Sequence, residues 1–550
     1  MTFSAHHRNS FINRLKSETF DLLVIGGGIT GAGIALDAAT RGLKVALIEK
    51  DDFAYGTSSR STKLIHGGLR YLKQLEFALV KEVGSERAIV HRLAPHLVVP
   101  EKMLLPLYER RGLGYWLTSV GLKIYDWLAG VKPEDQRKML TRQQTLAAEP
   151  LLKSDGVKGG ALYAEYRTDD ARLTIEIIKL AVQHGACAIN YVRATDFRLD
   201  QEKVAGVKAT DIVSGEAIDI QATAVVNAAG PWVDELREIN RSRTGKQLHL
   251  TKGVHIVVPY HRLPVRQAIY FDVPDGRMIF AIPRGRVTYI GTTDTDYTGQ
   301  MDEVQATHDD VEYLLHAAND TFPSALLTFA DVESSWAGLR PLIHEEGKSA
   351  SELSRKDEIF ESPTGLISIA GGKLTGYRKM AERVVDRVVD LYFPSANLKP
   401  CQTGRHKLPG GDFDSVEDVI RMQAELAERL GKLNMRGNEA TNLVHLYGRQ
   451  AWQIVAHLEV NPDWHHQPEQ ALVLAKAWFA IHFEMALYPV DFFVRRSALV
   501  FFNHPKALRS AEVVVDFFAT ELALPESEVD KQRQKLKKEM NQVVHFNQSR

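Results

Sequence analysis

Gly26, Gly28 and Gly31 stand at G-x-G-x-x-G spacing directly after the apolar run "DLLVI", and Glu49 follows Gly31 by 18 residues. Residues of these types, so spaced, can hold the diphosphate and ribose of a dinucleotide. Gly26 permits a tight turn, Gly28 lets the backbone come close to a pyrophosphate, and Gly31 lets the next helix pack closely on the strand. Ile29 and Thr30 open that helix, whose free N–H groups and positive dipole end suit a diphosphate. Glu49 ends "KVALIE", where a carboxylate can accept both hydroxyl hydrogens of a ribose and would repel a 2′-phosphate. A glycine triplet alone is a weak signal. Here strand, turn, helix, strand and acid fall in order, and the competing reading is a structural βαβ unit with an empty crevice.

Two later segments bear on which dinucleotide is bound. "AVVNAAGPWVDEL" is an apolar strand running into Gly230, and "LISIAGGKLTGYRKMAERVVD" runs into Gly371 and Gly372 before an amphipathic helix. The N-terminus of that helix could face the pyrimidine side of an isoalloxazine ring, where charge accumulates on reduction. NAD needs only the first βαβ unit, so three separated approaches suit the longer FAD better.

The elements that must position these residues are spread over 550 residues, enough for two or three domains. Hydrophobic residues at 44% and charged residues at 25% are usual for a soluble globular chain, and a net charge of -1 gives no field favouring nucleic acid. Two cysteines, Cys187 and Cys401, make neither a disulfide framework nor a metal cluster, which fits a reducing cytoplasm. No metal site is expected. No apolar window is long enough to span a bilayer, and the N-terminus lacks the apolar core of a signal peptide. After the nucleotide unit come a glycine- and serine-rich loop and a helical stretch to about residue 150. From about 155 to 375 short runs such as "HIVVP", "AIYFDV", "MIFAIPRG" and "VTYIGTTDTDY" read as strands. Beyond "HKLPGGDFDS" helical periodicity takes over, in "DVIRMQAELAERLGKL" and "EVDKQRQKLKKEMNQVV".

The chain resembles the FAD-dependent, respiratory type of glycerol-3-phosphate dehydrogenase. The similarity runs through "GGGITGAGIALDAATRGLKVALIEKDDFAYGTSSRSTKLIHGGLRYL", "TDDARL", "VNAAGPWVD", "KGVHIVVP", "IGTTDTDY", "GLRPL" and "GGKLTGYR", and reaches "PVDFFVRRSAL" near residue 490. It implies an α/β fold: a Rossmann-like FAD domain of the glutathione-reductase/D-amino-acid-oxidase type, a mostly antiparallel substrate sheet and a C-terminal helical domain. The expected division is residues 1–405 for the first two, interleaved, and 406–550 for the helices. FAD segments fall at about 18–90, 155–235 and 340–395, and substrate segments at about 91–154 and 236–339. The activity implied is oxidation of sn-glycerol 3-phosphate to dihydroxyacetone phosphate through noncovalent FAD, with electrons passing to a membrane quinone.

A dianionic phosphate needs fixed cations, and arginine's planar fork suits its oxygens. Arg70, Arg340 and Lys373 each follow a glycine-containing turn, Tyr71 offers a hydroxyl, and Thr293 is a further polar candidate. Surface charge or structural pairing is the competing reading for each. His255 interrupts the apolar run "KGVHIVV"; a neutral imidazole there could take the alcohol proton, with Arg340 favouring the alkoxide, or it could be a structural core histidine. Thr57, Ser58, Ser59, Ser61 and Thr62, with His66, Gly67, Gly68 and Leu69, are expected to face FAD as a group, joined by Leu374 and Thr375. Trp116, Val120, Ile124 and Trp127, near Tyr115 and Tyr125, could rest in a bilayer interface or pack on the core. The basic run "KQRQKLKK" could assist at an anionic surface. The expected location is cytoplasmic, peripheral on the inner face of the cell membrane, and nothing in the sequence excludes a homodimer. Alternatives are a glycerol-3-phosphate oxidase using oxygen, an FAD-dependent amine or amino-acid oxidase, and a catalytically silent FAD-binding protein.

Overall fold

The strand Thr19–Ile25 carries apolar side chains on both faces, so it can be stable only inside a sheet covered on both sides. It pairs in parallel with Val45–Ile48 on one edge and Ala217–Asn227 on the other. Ile367–Gly371 and Cys187–Ile189 extend this parallel sheet outward in the two directions, and Asp357–Glu361 closes one end antiparallel. The helix Ile29–Arg41 lies between Asp170–Gln183 and Tyr377–Tyr392. Gly33 allows the close approach, since a Cβ there would fall 2.9 Å from the Tyr377 ring. The computed structural model describes residues 2–65, 77–109, 123, 136–343 and 357–548.

A second sheet of ten strands among the described residues is mostly antiparallel. Its long members are Val99–Tyr108, Val157–Arg167, Leu248–Pro259 and Ser334–Ile343. The helix His308–Thr321 contributes to the core beneath one part of it. Side chains from Val473 to Val543 pack with others of its strands in a separate core.

Two expectations are corrected. The stretch to about residue 150 is not helical throughout: helix Phe77–Leu93 gives way to strands Val99–Tyr108 and Lys138–Thr141. Both strands pair with Val157–Arg167, and that pairing overrides the helical reading at these two segments. The strand Val157–Arg167, placed in the nucleotide segment 155–235, therefore belongs to the second sheet. The nucleotide-side chain resumes at the helix Asp170–Gln183, capped by Asp169.

The C-terminal helices are fastened to the nucleotide side by buried charge. Asp52 accepts from Arg495 Nε at 2.5 Å, from Arg496 Nη1 at 2.7 Å and Nη2 at 2.9 Å, and from Asn190 Nδ2 at 2.9 Å. Burial alone would raise the Asp52 carboxyl, but the guanidinium groups of Arg496 and Arg495 hold it well below the usual range. The same Arg495 reaches Asp491 at 2.8 Å, which also accepts from the Tyr191 hydroxyl. "PVDFFVRRSAL" thus supplies partners for an acid three residues past Glu49. Arg172, in "TDDARL", makes a second buried tie, to Glu484 at 2.6 Å.

Candidate active site at the junction of the two sheets

The glycine turn has the geometry its spacing requires. Gly26 is at φ +116°, and a Cβ there would lie 2.5 Å from the Ala228 carbonyl oxygen, just past the end of the neighbouring strand. A Cβ on Gly31 would lie 1.9 Å from the Gly26 oxygen, so the helix can begin this close to the strand only with glycine at that position. Gly28 is the N-cap residue, in extended backbone, and the Ser58 hydroxyl accepts from Ile29 N at 2.9 Å. Glu49 accepts from Gly27 N at 2.6 Å and from Asp51 N at 2.9 Å, one bond to each carboxylate oxygen. Lone pairs remain on both oxygens for ribose hydroxyls. Burial pushes its carboxyl up to about 7.

A cleft of about 420 Å³ opens where the two sheets meet, within the usual size of a cofactor site. Gly26, Gly28, Ile29, Thr30 and Glu49 line one end. Thr57, Ser58, Ser61 and Thr62 line a wall, and Gly230, Gly372, Lys373, Leu374 and Thr375 line another. Gly371 and Gly372 are both at positive φ, +77° and +79°, a turn that brings the following backbone to the cleft.

His255 and Arg340 come from adjacent strands, Leu248–Pro259 and Ser334–Ile343. The register pairs His255 with Trp336, Gly253 with Gly338, and Thr251 with Arg340. Alternate residues share one face of a strand, so all six lie on one face of the sheet. The two glycines project no side chain between the His255–Trp336 pair and Arg340, so the Arg340 guanidinium can lie over Gly253 and Arg60 over Gly338. His255 stacks on Trp336, with centroids 4.8 Å apart and planes at 11°. Its Nε2 lies 3.0 Å from the Thr62 hydroxyl oxygen, and Nδ1 has no hydrogen-bond partner among the described residues. Burial, then the nearby charges of Arg340 and Lys63, hold the imidazole well below its usual pKa, so it is neutral at physiological pH. Arg340 donates to the Thr293 carbonyl at 3.1 Å, to Asp294 Oδ1 at 3.0 Å and to the Thr292 hydroxyl at 2.8 Å. Its guanidinium is thereby aimed along the glycine floor.

Gly31, Ser59 and Thr293 stand behind the cleft rather than on it. Gly31 packs against Gly26, and the buried Ser59 hydroxyl turns to the carbonyls of Tyr55 and Gly56. Thr293 is buried in the sheet, where its hydroxyl accepts from Val254 N at 3.0 Å; it meets Arg340 through its backbone oxygen. Ser61 lines the cleft and also donates to Asp170 Oδ2 at 2.7 Å, and Lys63 pairs with Oδ1 of the same acid at 2.5 Å. Asp170 lies in "TDDARL", so that motif acts from behind the loop. His66, Gly67, Gly68, Leu69, Arg70 and Tyr71 lie outside the described residues, as do Trp116, Val120, Ile124, Trp127, Tyr115 and Tyr125.

The sequence reading missed Lys50, Arg60, Arg193 and Trp232, which also line the cleft. Lys50 sits 4.2 Å from the Trp232 ring centroid and pairs with Asp302 at 2.6 Å. Arg193 arrives because Cys187–Ile189 pairs with Val45–Ile48 and Val192 N then donates to the Glu49 carbonyl at 2.8 Å. No local motif marks it. Lys50, next to the diagnostic Glu49, had at least its position as a signal.

A glycine turn at a helix N-terminus, a ribose-competent acid beside it, and a second sheet closing over both define an FAD-dependent oxidoreductase. A family model of that description matches residues 21–378, and another, the C-terminal domain of alpha-glycerophosphate oxidase, matches residues 401–529. The chain belongs to the aerobic glycerol-3-phosphate dehydrogenase family. It is 46% identical to the aerobic glycerol-3-phosphate dehydrogenase of Bacillus subtilis strain 168, over 98% of each chain. To that of Staphylococcus aureus strain USA300 it is 45% identical, over 100% of this chain and 99% of the relative. The crystal structure of the glycerol-3-phosphate dehydrogenase from Bacillus halodurans complexed with FAD superposes with a TM-score of 0.84 at 45% identity, covering 99% of each chain. A glycine oxidase from Bacillus cereus, at 22% identity and a TM-score of 0.51 over 68% of this chain and 97% of that one, shares the fold alone.

Proposed function

We propose that this chain oxidises sn-glycerol 3-phosphate to dihydroxyacetone phosphate and passes the two electrons to a membrane quinone. The observation that carries the reading is the glycine-floored face bearing His255 and Arg340, which opens into the same cleft as the dinucleotide turn. The names and full-length similarity of the relatives support the substrate.

Bound FAD would supply the two-electron acceptor for the hydrogen on C2. Gly26, Gly28 and the N–H groups of Ile29 and Thr30 would hold its diphosphate, Glu49 its ribose, and Leu374 and Thr375 the far end. The chain's own part is to bind the substrate, orient it and move one proton. Arg340 and Lys373 present cationic groups to the cleft for the phosphate or the developing alkoxide, and Arg70 and Tyr71 are assigned to the same task from the sequence. The neutral imidazole of His255 keeps a basic nitrogen to take the C2 hydroxyl proton. Thr62, at 3.0 Å, and Trp336, stacked beneath, fix the ring.

Work at the membrane surface fits the quinone acceptor, and no helix among the described residues is long and apolar enough to cross a membrane. The basic run "KQRQKLKK" lies in the helix Glu526–Gln542, where Lys531, Arg533 and Lys538 each face an acid of this chain. Those pairs favour a structural role for it, leaving the aromatic segment near Trp116 as the candidate for the bilayer.

A second reading, transfer to oxygen with release of peroxide, is favoured by the match of residues 401–529 to the oxidase-type C-terminal domain. Both are tested by recording the flavin spectrum anaerobically before and after adding sn-glycerol 3-phosphate. Bleaching that glycerol does not produce, followed by reoxidation with quinone faster than with oxygen, is the expected result. Fast reoxidation by oxygen with peroxide would make the chain an oxidase, and a flavin left unbleached would reject the substrate.

A further inference from the structure

Remote from the cleft, His6, His482 and Glu521 bring one ligand atom each to within 4.8 Å of one another. They come from three separate parts of the chain: the short turn Ala5–His7, the end of the helix Pro468–Phe483, and the end of the helix His504–Glu521. We propose that these three residues form a binding site for a single divalent transition-metal ion of the zinc type.

The distances suit such an ion. Zinc holds nitrogen and carboxylate-oxygen ligands at about 2.0–2.2 Å in a tetrahedron, so its ligand atoms stand roughly 3.3–3.6 Å apart. Glu521 Oε2 lies 3.0 Å from His482 Nε2 and 4.0 Å from His6 Nε2, one side of that range and the other. Sub-ångström shifts of side chains that are not deeply packed would close the site, with water completing the fourth position.

The donor set is also right in charge and softness. Two imidazoles and one carboxylate suit zinc and its neighbours in the series, whereas magnesium and calcium prefer oxygen alone.

The backbone that presents His6 is held in place. Ser4 is buried, and its hydroxyl donates to the Ile481 carbonyl at 3.2 Å, next to His482. Phe3 is buried as well, 5.6 Å from the Phe53 ring. The two helix ends are joined by the His482–Glu521 bond. Bound metal would therefore staple the N-terminal segment to the C-terminal helices, a structural site with no role in turnover. The group His308, Asp309 and Glu312 also meets the distance condition, but all three come from the start of one helix, so a metal there would join nothing.

Untagged holoenzyme, stripped with chelator and dialysed, would be titrated with Zn²⁺ by calorimetry. One equivalent should bind, and the affinity should fall at least tenfold in His6→Gln and in Glu521→Gln. His6 is exposed, so His6→Gln leaves the fold intact whatever Glu521→Gln does. His308→Ala should bind as the parent does, and the flavin spectrum and turnover should be unchanged by stripping. Failure to bind a stoichiometric equivalent, or equal affinity in parent and His6→Gln, would overturn the site.

Discussion

The guanidinium of Arg340 occupies the space that a side chain on Gly253 would need. A Cβ built on Gly253 would fall 2.1 Å from Arg340 Nη2 and 2.5 Å from Cζ. Gly253→Ala adds no polar group to the cleft, yet it must displace the cation. We expect Gly253→Ala to lower kcat/KM for glycerol 3-phosphate by about 10- to 100-fold, the scale of a misplaced positioning group, while FAD stays bound. Unaltered steady-state kinetics in a flavin-replete variant would show that Arg340 does not use that space in turnover.

Arg340 itself is the larger test. Losing a charge-assisted bond to the phosphate or alkoxide costs on the order of 2–4 kcal/mol, or about 30- to 10³-fold in kcat/KM. Arg340→Lys should recover only part of this, because an ammonium lacks the planar fork. The measurement is stopped-flow flavin reduction, and a normal reduction rate at every substrate concentration would remove Arg340 from the site.

The dinucleotide turn makes a separate claim. Gly28→Val puts branched bulk where the N-cap backbone must meet the diphosphate, and FAD content should fall to near zero while the fold persists by circular dichroism. Gly31→Ala has no such freedom. Its Cβ would stand 1.9 Å from the Gly26 oxygen, so a loss of melting temperature is expected along with loss of flavin. Stoichiometric flavin in Gly28→Val would contradict the assigned geometry.

Asp52 tests how the C-terminal helices are attached. Asp52→Asn leaves Arg495 and Arg496 buried with less compensating charge, and removal of one partner from such a pair costs about 3–5 kcal/mol. Denaturant unfolding should show that loss, and Arg496→Met with Asp52→Asn should lose less than the sum of the single changes. Additive losses would mean the two residues do not act together.

Glu49 predicts a pH dependence of the flavin-free protein. Its carboxyl is raised to about 7 in the fold, above its ordinary value near 4.5. A raised value means the fold favours the proton, so the contribution is fully present below pH 4.5 and is lost as pH rises through 7. The loss is at most about 3 kcal/mol. Melting of stripped protein between pH 5 and 8 should decline more steeply than that of Glu49→Gln; superimposable curves would refute the assignment.

Much of the cleft lining could be read locally. The turn at Gly26–Gly31 and the approaches at Gly230 and Gly372 each follow a strand and lead into a helix, and Glu49 directly follows the strand Val45–Ile48, so all are set by spacing over a few residues. The strand Val99–Tyr108 was less legible, because its hydrogen bonds go to Val157–Arg167 and nothing within the segment records that partner. The surroundings of Thr293, named from the sequence only as a polar candidate, were illegible for a related reason: its hydroxyl accepts from the Val254 amide, on a strand that no local pattern pairs with it.

By itself the sequence determined the nucleotide unit, with its glycine turn and the acid that follows its second strand, and the residue types available in the cleft. Tertiary structure alone decided that His255 and Arg340 share one face across a floor of Gly253 and Gly338, since strand register is fixed by pairing with a distant segment. It also decided that Arg495 and Arg496 neutralise Asp52 rather than facing solvent. A local pattern can specify a turn or a helix cap, whose partners lie a few residues away. The partner of a buried charge or the neighbour of a strand is chosen only when the whole chain has packed.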